Sequence, residues 1–453
     1  MRIELGTPMT LHEIAHATES TLQNNADIII THISLDSRLV ESGDLFLAIK
    51  GKNGSGEDYS EHAKNRGGLV MSSKADADIL CANTSVALLN LAHYYVSKLP
   101  NILYRIGITG SVGKTTVKEF TNILLSTQYK TYCSKGNYNN EIGMPLSILS
   151  ATIDTEILLM EMGMNHSGEI SRLSKCLGPN IAAITNIGTA HIGNLGSREA
   201  IAKAKLEITD GMNEGALIIP YEENLLTKVS NHISFSADQS AANIYIKGED
   251  ENVQVLINGT SLCKCKFSLM EIHHKKCLAT AVAISVCCNM SALNIQRGIS
   301  AISSENTRQS VISACGLDFY QDYYNASFES VCACIETAKM IRINKHKHLL
   351  LGDILELGDM SDSIHYNIGR MISPSVFQNL FLVGEAVKNV KAGAISIGFS
   401  AERIFLNDNL SAPEYTTSQI KKYCNMGDMI FMKASRAIRL ERIIDCFDCK
   451  TER

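Results

Sequence analysis

From residue 101 onward the apolar positions gather into short unbroken runs, each followed by a longer stretch with helical spacing. That alternation predicts buried parallel strands joined by helices. The run at 102–109 ends in a glycine loop, and 114–125 then carries apolar residues at helical intervals. Further strands are expected at 157–162, 180–186 and 216–220. A polar stretch at 303–310 (SSENTRQS) reads as a linker. Beyond it the same pattern resumes, with strands expected at 317–320, 348–351, 379–383 and 429–432. Before residue 100, short apolar runs mix with turn-rich polar segments such as 50–56 (KGKNGSG). No internal repeat or low-complexity tract interrupts the chain. The pattern predicts two α/β domains behind a smaller mixed one.

Length agrees, since 453 residues make about three domains at roughly 150 residues each. Forty-two Lys and Arg against 47 Asp and Glu leave a net charge of −5. That balance argues against broad electrostatic binding to nucleic acid or an anionic membrane surface, though a local basic patch could still hold a phosphate. No apolar run reaches the roughly 18 residues of a spanning helix, so no membrane insertion is expected. The opening residues lack a basic end followed by an apolar stretch, and the expectation is a cytoplasmic monomer. The 14 cysteines show no repeated spacing and are expected to be ordinary thiols. Their only C-x-x-C, Cys446 to Cys449, lacks the second pair a structural zinc site would need.

The strongest motif is Thr109-Gly110-Ser111-Val112-Gly113-Lys114-Thr115-Thr116, set between an expected strand and an expected helix. Small residues let backbone N–H groups converge on phosphate oxygens, and the helix that follows presents its positive end. Lys114 would add charge against the β- and γ-phosphates, and Thr115 a hydroxyl to Mg²⁺. The loop is a shortened G-x-x-G-K-T, because Ile108 stands where the longer motif has its first glycine. No N-K-x-D guanine motif accompanies it, which disfavours a switch GTPase. In open parallel sheets ligands sit beyond the carboxyl ends of the strands. Those ends supply Glu161, Asn186 and, shortly after, His191. Each alone is more often a surface or structural residue; together they suggest a metal cluster suited to Mg²⁺.

Three segments, ITGSVGKTTVKEF, GNYNNEIGMPLSIL and EMGMNHSGEISRLSKCLGPNIAAITNIGTAHIGNLGSREAIAKAKLEI, resemble the central domain of the Mur ligases. Those enzymes build the peptide stem of bacterial cell-wall precursors. LDSRLVESGDLFLAIKG resembles the family's N-terminal domain, which holds the UDP end of the substrate. DYYNASFES, GDILELGDMSDSIHYNIG and MKASRAIRLE resemble its C-terminal domain. The last three follow the branch that joins D-alanyl-D-alanine to UDP-N-acetylmuramoyl-tripeptide, and the D-N-P-R motif of the tripeptide-forming branch is missing. The resemblance implies three domains. A small mixed α/β UDP-substrate-binding domain spans 1–100, and a central P-loop, mononucleotide-binding parallel-sheet domain spans 101–308. A C-terminal Rossmann-like α/β domain spans 309–453.

Carried over by position, the resemblance implies that Lys114 and Thr115 grip the phosphates of ATP and a first Mg²⁺. Glu161 would share that metal, and His191 would bind a second. Lys205 matches a lysine carbamylated by CO₂ in this family, which would turn a repelled ammonium into an anionic metal ligand. Lys203 competes with it, but two residues along a helix is about 200°, so both cannot face the site. Composition alone would make Lys205 a surface lysine. Gly110 through Thr116, with Arg308, Asp322, Tyr324 and Asn325, would hold ATP. Asp36, Ser37 and Arg38 would lie near the uridine nucleotide, and Asn139 and Asn140 near the substrate and phosphates. Asp353, His365, Lys433, Ser435 and Arg436 would orient substrates or close over them.

The chain departs from the family in four places. His273-His274-Lys275-Lys276-Cys277-Leu278 keeps one His of the adenine motif and loses both Asn. Ser327-Phe328 replaces Asn-Pro, Ala434 replaces a Gly, and Glu57 stands where a His is usual. Two rivals remain at this point: a ligase of the same superfamily acting on another carboxylate, and a nucleotide-binding module without catalysis. The first domain's D-S-R and G-D-L-F segments speak against the former, and intact Glu161, His191 and Lys205 against the latter.

Overall fold

The computed structural model describes residues 1–23, 27–51, 54–249, 251–269, 271–303 and 310–447. Arg308, Cys449 and most of the expected linker lie outside the described residues. Three sheets follow one another along the chain. The first runs Arg2–Thr10, Ile29–Ser34, Leu45–Leu47, Leu69–Ser72, Ile79–Leu80, Thr21–Leu22, antiparallel at both edges and parallel within. Its helix Thr84–Ser97 starts at an Asn83 cap and packs its buried face on the central unit. There the Tyr95 hydroxyl donates to the Ala151 carbonyl at 2.8 Å.

The central sheet has nine strands. Five parallel ones, Ala216–Pro220, Ile181–Ile184, Tyr104–Thr109, Ile157–Glu161 and Thr131–Cys133, stand side by side in that order. Four of these were expected, and all five are bordered by helices as buried parallel strands require. Beyond Ala216–Pro220 the sheet continues through His232–Ser236 and Ile244–Glu249, then turns antiparallel with Asn252–Ile257 and Thr260–Lys266. This departs from a purely parallel expectation. The last two strands are joined by the Asn258-Gly259 pair, whose positive φ values of 48° and 79° make the tight turn suited to twisted antiparallel strands.

The third sheet runs Ser310–Ala314, Leu317–Gln321, Met429–Lys433, Lys347–Gly352, Asn379–Val383, Ile404–Asn407, parallel except for its first pair. One buried apolar cluster runs through all three units, from Leu5 through Met160 to Phe431. Among the described residues 12 cysteines are free thiols, while Cys315 is disulfide-bonded, against the expectation of thiols throughout. No helix among them is long and apolar enough to cross a membrane.

Candidate active site

Strand register brings the chemistry to one edge. Ile108 pairs with Glu161, and Thr109 with Ile184, so the glycine loop, Glu161 and the segment from Thr185 leave the sheet together. Gly110 sits so close to the neighbouring strand that a Cβ would lie 1.8 Å from Thr185 Oγ1. Gly113, at φ 83°, is the left-handed residue before helix Lys114–Leu125. The next strand end shapes the loop. Asn186 Oδ1 accepts from the N–H groups of Ser111 and Val112 at 3.1 and 2.9 Å, and Gly188 N–H donates to Ser111 Oγ at 2.9 Å. Lys114 Nζ donates to the Gly110 carbonyl at 2.7 Å.

Glu161 is buried at the end of its strand with two partners. Its Oε2 accepts from Thr115 Oγ1 at 2.7 Å and its Oε1 from Asn139 Nδ2 at 2.8 Å. Asn140 instead caps helix Gly143–Leu149, accepting from Ile142 and Gly143 N–H at 3.1 and 2.8 Å. His191 holds a left-handed conformation (φ 64°), with Nδ1 2.5 Å from Glu356 Oε2 but outside hydrogen-bond alignment. Burial holds its imidazole below the ordinary value; Glu356 pulls the other way, and the Lys114 and Lys205 charges add to the lowering.

Lys205 is buried near the end of helix Arg198–Leu206, whereas Lys203 on the same helix is exposed. The helix therefore selects Lys205 as the inward lysine, and a surface position is excluded. Burial, reinforced by Lys114, pushes its ammonium well below the usual lysine range. Among the described residues no three His, Cys, Asp or Glu side chains converge as a ready metal cage.

The third sheet closes the opposite side. Asp322 follows strand Leu317–Gln321 and pairs with Lys433 at the end of the adjacent strand, Oδ2 to Nζ 3.0 Å. A cavity of about 470 Å³ lies between, lined by Ser111 through Thr116, Asn139, Asn140, Glu161 and His191 on one side. Asp322, Tyr324, Asn325 and Lys433 line the other. The substituted segment at 273–277 also reaches this wall, through His273, His274, Lys276 and Cys277.

Comparison with known proteins fits this geometry. The model of the Mur ligase middle domain matches residues 108–284, and that of the Mur ligase family catalytic domain matches 29–98. Over 451 residues the chain is 32% identical to the UDP-N-acetylmuramoyl-tripeptide–D-alanyl-D-alanine ligase of Bacillus subtilis, covering 96% of this chain and 97% of that one. The chain belongs to the Mur ligase family. The solved MurF of Acinetobacter baumannii superposes with a TM-score of 0.87 at 26% identity, covering 98% of this chain and 99% of that one. The MurF ligase of Thermotoga maritima in complex with ADP gives 0.79 at 25% identity, covering 92% and 96%. The three-domain fold of the Mur ligases is thus the fold of this chain, with α/β sheets that are largely parallel.

Several residues singled out in the sequence stand away from the cavity. Asp36 caps the turn Ser37–Leu39 and binds the Arg38 guanidinium at 2.9 and 2.7 Å, which holds its carboxyl far below the usual range. Ser37 Oγ meets His62 Nδ1 at 3.0 Å. Asp353 accepts from Glu385 and Val387 N–H at 3.0 and 2.9 Å, and Ser435 Oγ accepts from Leu355 N–H at 2.9 Å. His365 Nε2 accepts from Ile354 N–H at 3.1 Å. These three do not line the cavity; they brace the loop that carries Glu356. Arg436 pairs with Glu441 at 2.9 Å.

The two walls are joined by residues that carry no motif in the sequence. Glu329, in helix Phe328–Met340, accepts from Thr189 N–H at 2.8 Å and from Thr189 Oγ1 at 3.2 Å. Glu356 reaches His191, and its carbonyl accepts from Gly193 N–H at 3.0 Å. Nothing local marks an exposed-looking Glu as an interdomain clamp, so no signal along the chain could have found them. Asn186 was noticed at its strand end, but as a candidate metal ligand and not as the brace of the phosphate loop.

Proposed function

We propose that this chain is an ADP-forming ligase. It joins the amine of D-alanyl-D-alanine to the terminal carboxylate of UDP-N-acetylmuramoyl-tripeptide, in the cytoplasmic stage of peptidoglycan precursor synthesis. The observation that carries this is the cavity itself, where the phosphate loop and Glu161 face the Asp322–Lys433 pair. The near full-length likeness to a relative of that name supports the choice of substrates.

The tripeptide carboxylate oxygen attacks the γ-phosphorus of ATP and ADP leaves, forming an acyl phosphate. The dipeptide amine then adds to the acyl carbon, loses a proton, and phosphate departs as the amide forms. No protein nucleophile takes part. Lys114, at the head of its helix, neutralises charge that would keep two anions apart. Asn186 holds Ser111 and Val112 N–H groups in a shared direction, so the loop is shaped before phosphate arrives.

The donor set fits Mg²⁺. The Thr115 hydroxyl and Glu161 carboxylate meet at 2.7 Å, and both are hard oxygen donors. Two ions are proposed, held by Thr115 and Glu161, by His191, and by a carbamate on Lys205. Mg²⁺ would supply charge neutralisation at the phosphates. Mg²⁺ ordinarily keeps waters and phosphate oxygens as ligands, so a few protein donors suffice. Lys205 is buried, and burial together with the Lys114 charge disfavours its ammonium, so the free amine can add CO₂ and release a proton.

In this reading residues 1–100 take the UDP end through Asp36, Ser37 and Arg38, 101–308 hold ATP, and 309–453 close the site in a monomer. The test is oxygen transfer. A tripeptide carboxylate labelled with ¹⁸O should pass one labelled oxygen to the released phosphate. Unlabelled phosphate would exclude the acyl-phosphate route.

A further inference from the structure

Lys118 is fully buried in the second turn of the phosphate-loop helix, one turn beyond Lys114 on the same face. Lysine is almost never fully buried without partners, because an unpaired ammonium in a low-dielectric interior is costly. Its Nζ donates to the Ser134 carbonyl at 2.5 Å and the Gly136 carbonyl at 3.3 Å, and stands 3.2 Å from Glu119 Oε1. None of these contacts has a part in the reaction described above.

The acceptors belong to the segment that carries the cavity's asparagines. Ser134 Oγ accepts from Glu161 N–H at 3.4 Å, and Gly136 turns the chain at φ 53°. Three residues later Asn139 donates to Glu161 Oε1, and its carbonyl accepts from Gly163 N–H at 2.7 Å. Asn140 then caps the next helix. Glu161 is thus reached from one helix by two routes, directly through Thr115 and indirectly through Lys118 and Ser134. An apolar residue could fill the space, but only a long stem ending in several donors can bind two carbonyls at once.

We infer that Lys118 is a positioning residue for phosphoryl transfer to the substrate carboxylate. It ties the phosphate-loop helix to segment 134–140, so that Lys114 and Thr115 keep a fixed relation to Asn139 and Glu161. The inference rests on the proposed ligase activity and concerns how that site is held.

The full-length protein is compared with Lys118→Gln, which shortens the tie and removes its charge, and with Gly136→Ala, which leaves the lysine but disfavours the left-handed turn. A Cβ at Gly136 meets nothing within 4 Å, so that second variant does not clash. Both variants should bind ADP within about threefold of wild type, while kcat falls about tenfold or more, the scale of a misplaced reacting group. In both, amide exchange at Gly163 and across 134–140 should quicken while that of Ser111 and Val112 does not. Lys118→Arg, which keeps the donors, should recover part of the loss. Variants that melt earlier but keep kcat and exchange within about twofold of wild type would make Lys118 a fold-stabilising tie only. If wild type shows no turnover, the ligase reading fails separately, and unchanged exchange in both variants still overturns the role of Lys118.

Discussion

Glu356 and His191 meet across the seam between the third and central sheets, Oε2 to Nδ1 2.5 Å, and both hold left-handed backbone at φ 64°. Non-glycine residues are unusual in that region, and at Glu356 the backbone is held from the other side of the seam. The Gly193 N–H binds the Glu356 carbonyl, and a Cβ on Gly193 would lie 2.6 Å from Gly358 N. The seam has no room for a methyl group.

Gly193→Ala should therefore hold the two units apart while each keeps its own core. With ATP and the nucleotide substrate present, the scattering radius should stay larger than that of wild type, and kcat/KM should fall about 10²-fold. A wild-type radius with wild-type turnover would show that this contact does not complete the site.

Lys114→Ala should lower kcat at least about 10²-fold, the scale for losing one preorganised charge stabiliser. Steady-state phosphate release measures it, and near-normal turnover would remove Lys114 from the mechanism.

Lys205→Met should separate stability from activity. Burial already disfavours a charge at Lys205, so an apolar stem of similar length should not lower the melting temperature below that of wild type. Turnover should drop about 10²-fold or more. With ¹³C-labelled bicarbonate, wild type should show a carbamate resonance that the variant lacks.

Much of this was legible along the chain. Lys114–Leu125 and Asn379–Val383 emerge with the bounds that periodicity gave them, since short apolar runs and helical spacing report burial directly. Glu161 was legible because it ends an apolar strand. The hairpin at Asn258-Gly259 carries its own turn signal in that dipeptide. Lys118 also left a trace, a lysine within the stripe of Val117, Phe120, Thr121 and Leu124 that the helix buries. The burial of Lys205 was read there only from resemblance. Glu329 and Glu356 could not be read at all, because their partners lie far away in sequence and are set by how two units dock.

Acid should weaken the third unit through His348 and Asp428, which pair at 3.1 Å in its core. Burial pushes His348 below its usual 6.5, against the pull of Asp428. Burial also pushes Asp428 up, but N–H donors from Asn425 and His346, together with His348, outweigh it and hold the carboxyl low. A histidine with a depressed native pKa is protonated more readily when unfolded, so its stabilisation is present above pH 6.5 and lost as pH falls below it. The Asp428 contribution is present above 3.8 and lost as pH falls through its lowered native value. Melting temperature should thus decline below pH 6.5, and His348→Gln, which cannot titrate, should show a shallower decline. An unchanged slope would assign the acid sensitivity elsewhere.

The most direct measurement is phosphate release from ATP and Mg²⁺ with UDP-N-acetylmuramoyl-tripeptide, with and without D-alanyl-D-alanine, and the product weighed by mass spectrometry. Release that requires both acceptors and yields the UDP-linked pentapeptide is the predicted result. Sustained ATP binding with no release on either acceptor, or release without the pentapeptide, would contradict the assignment.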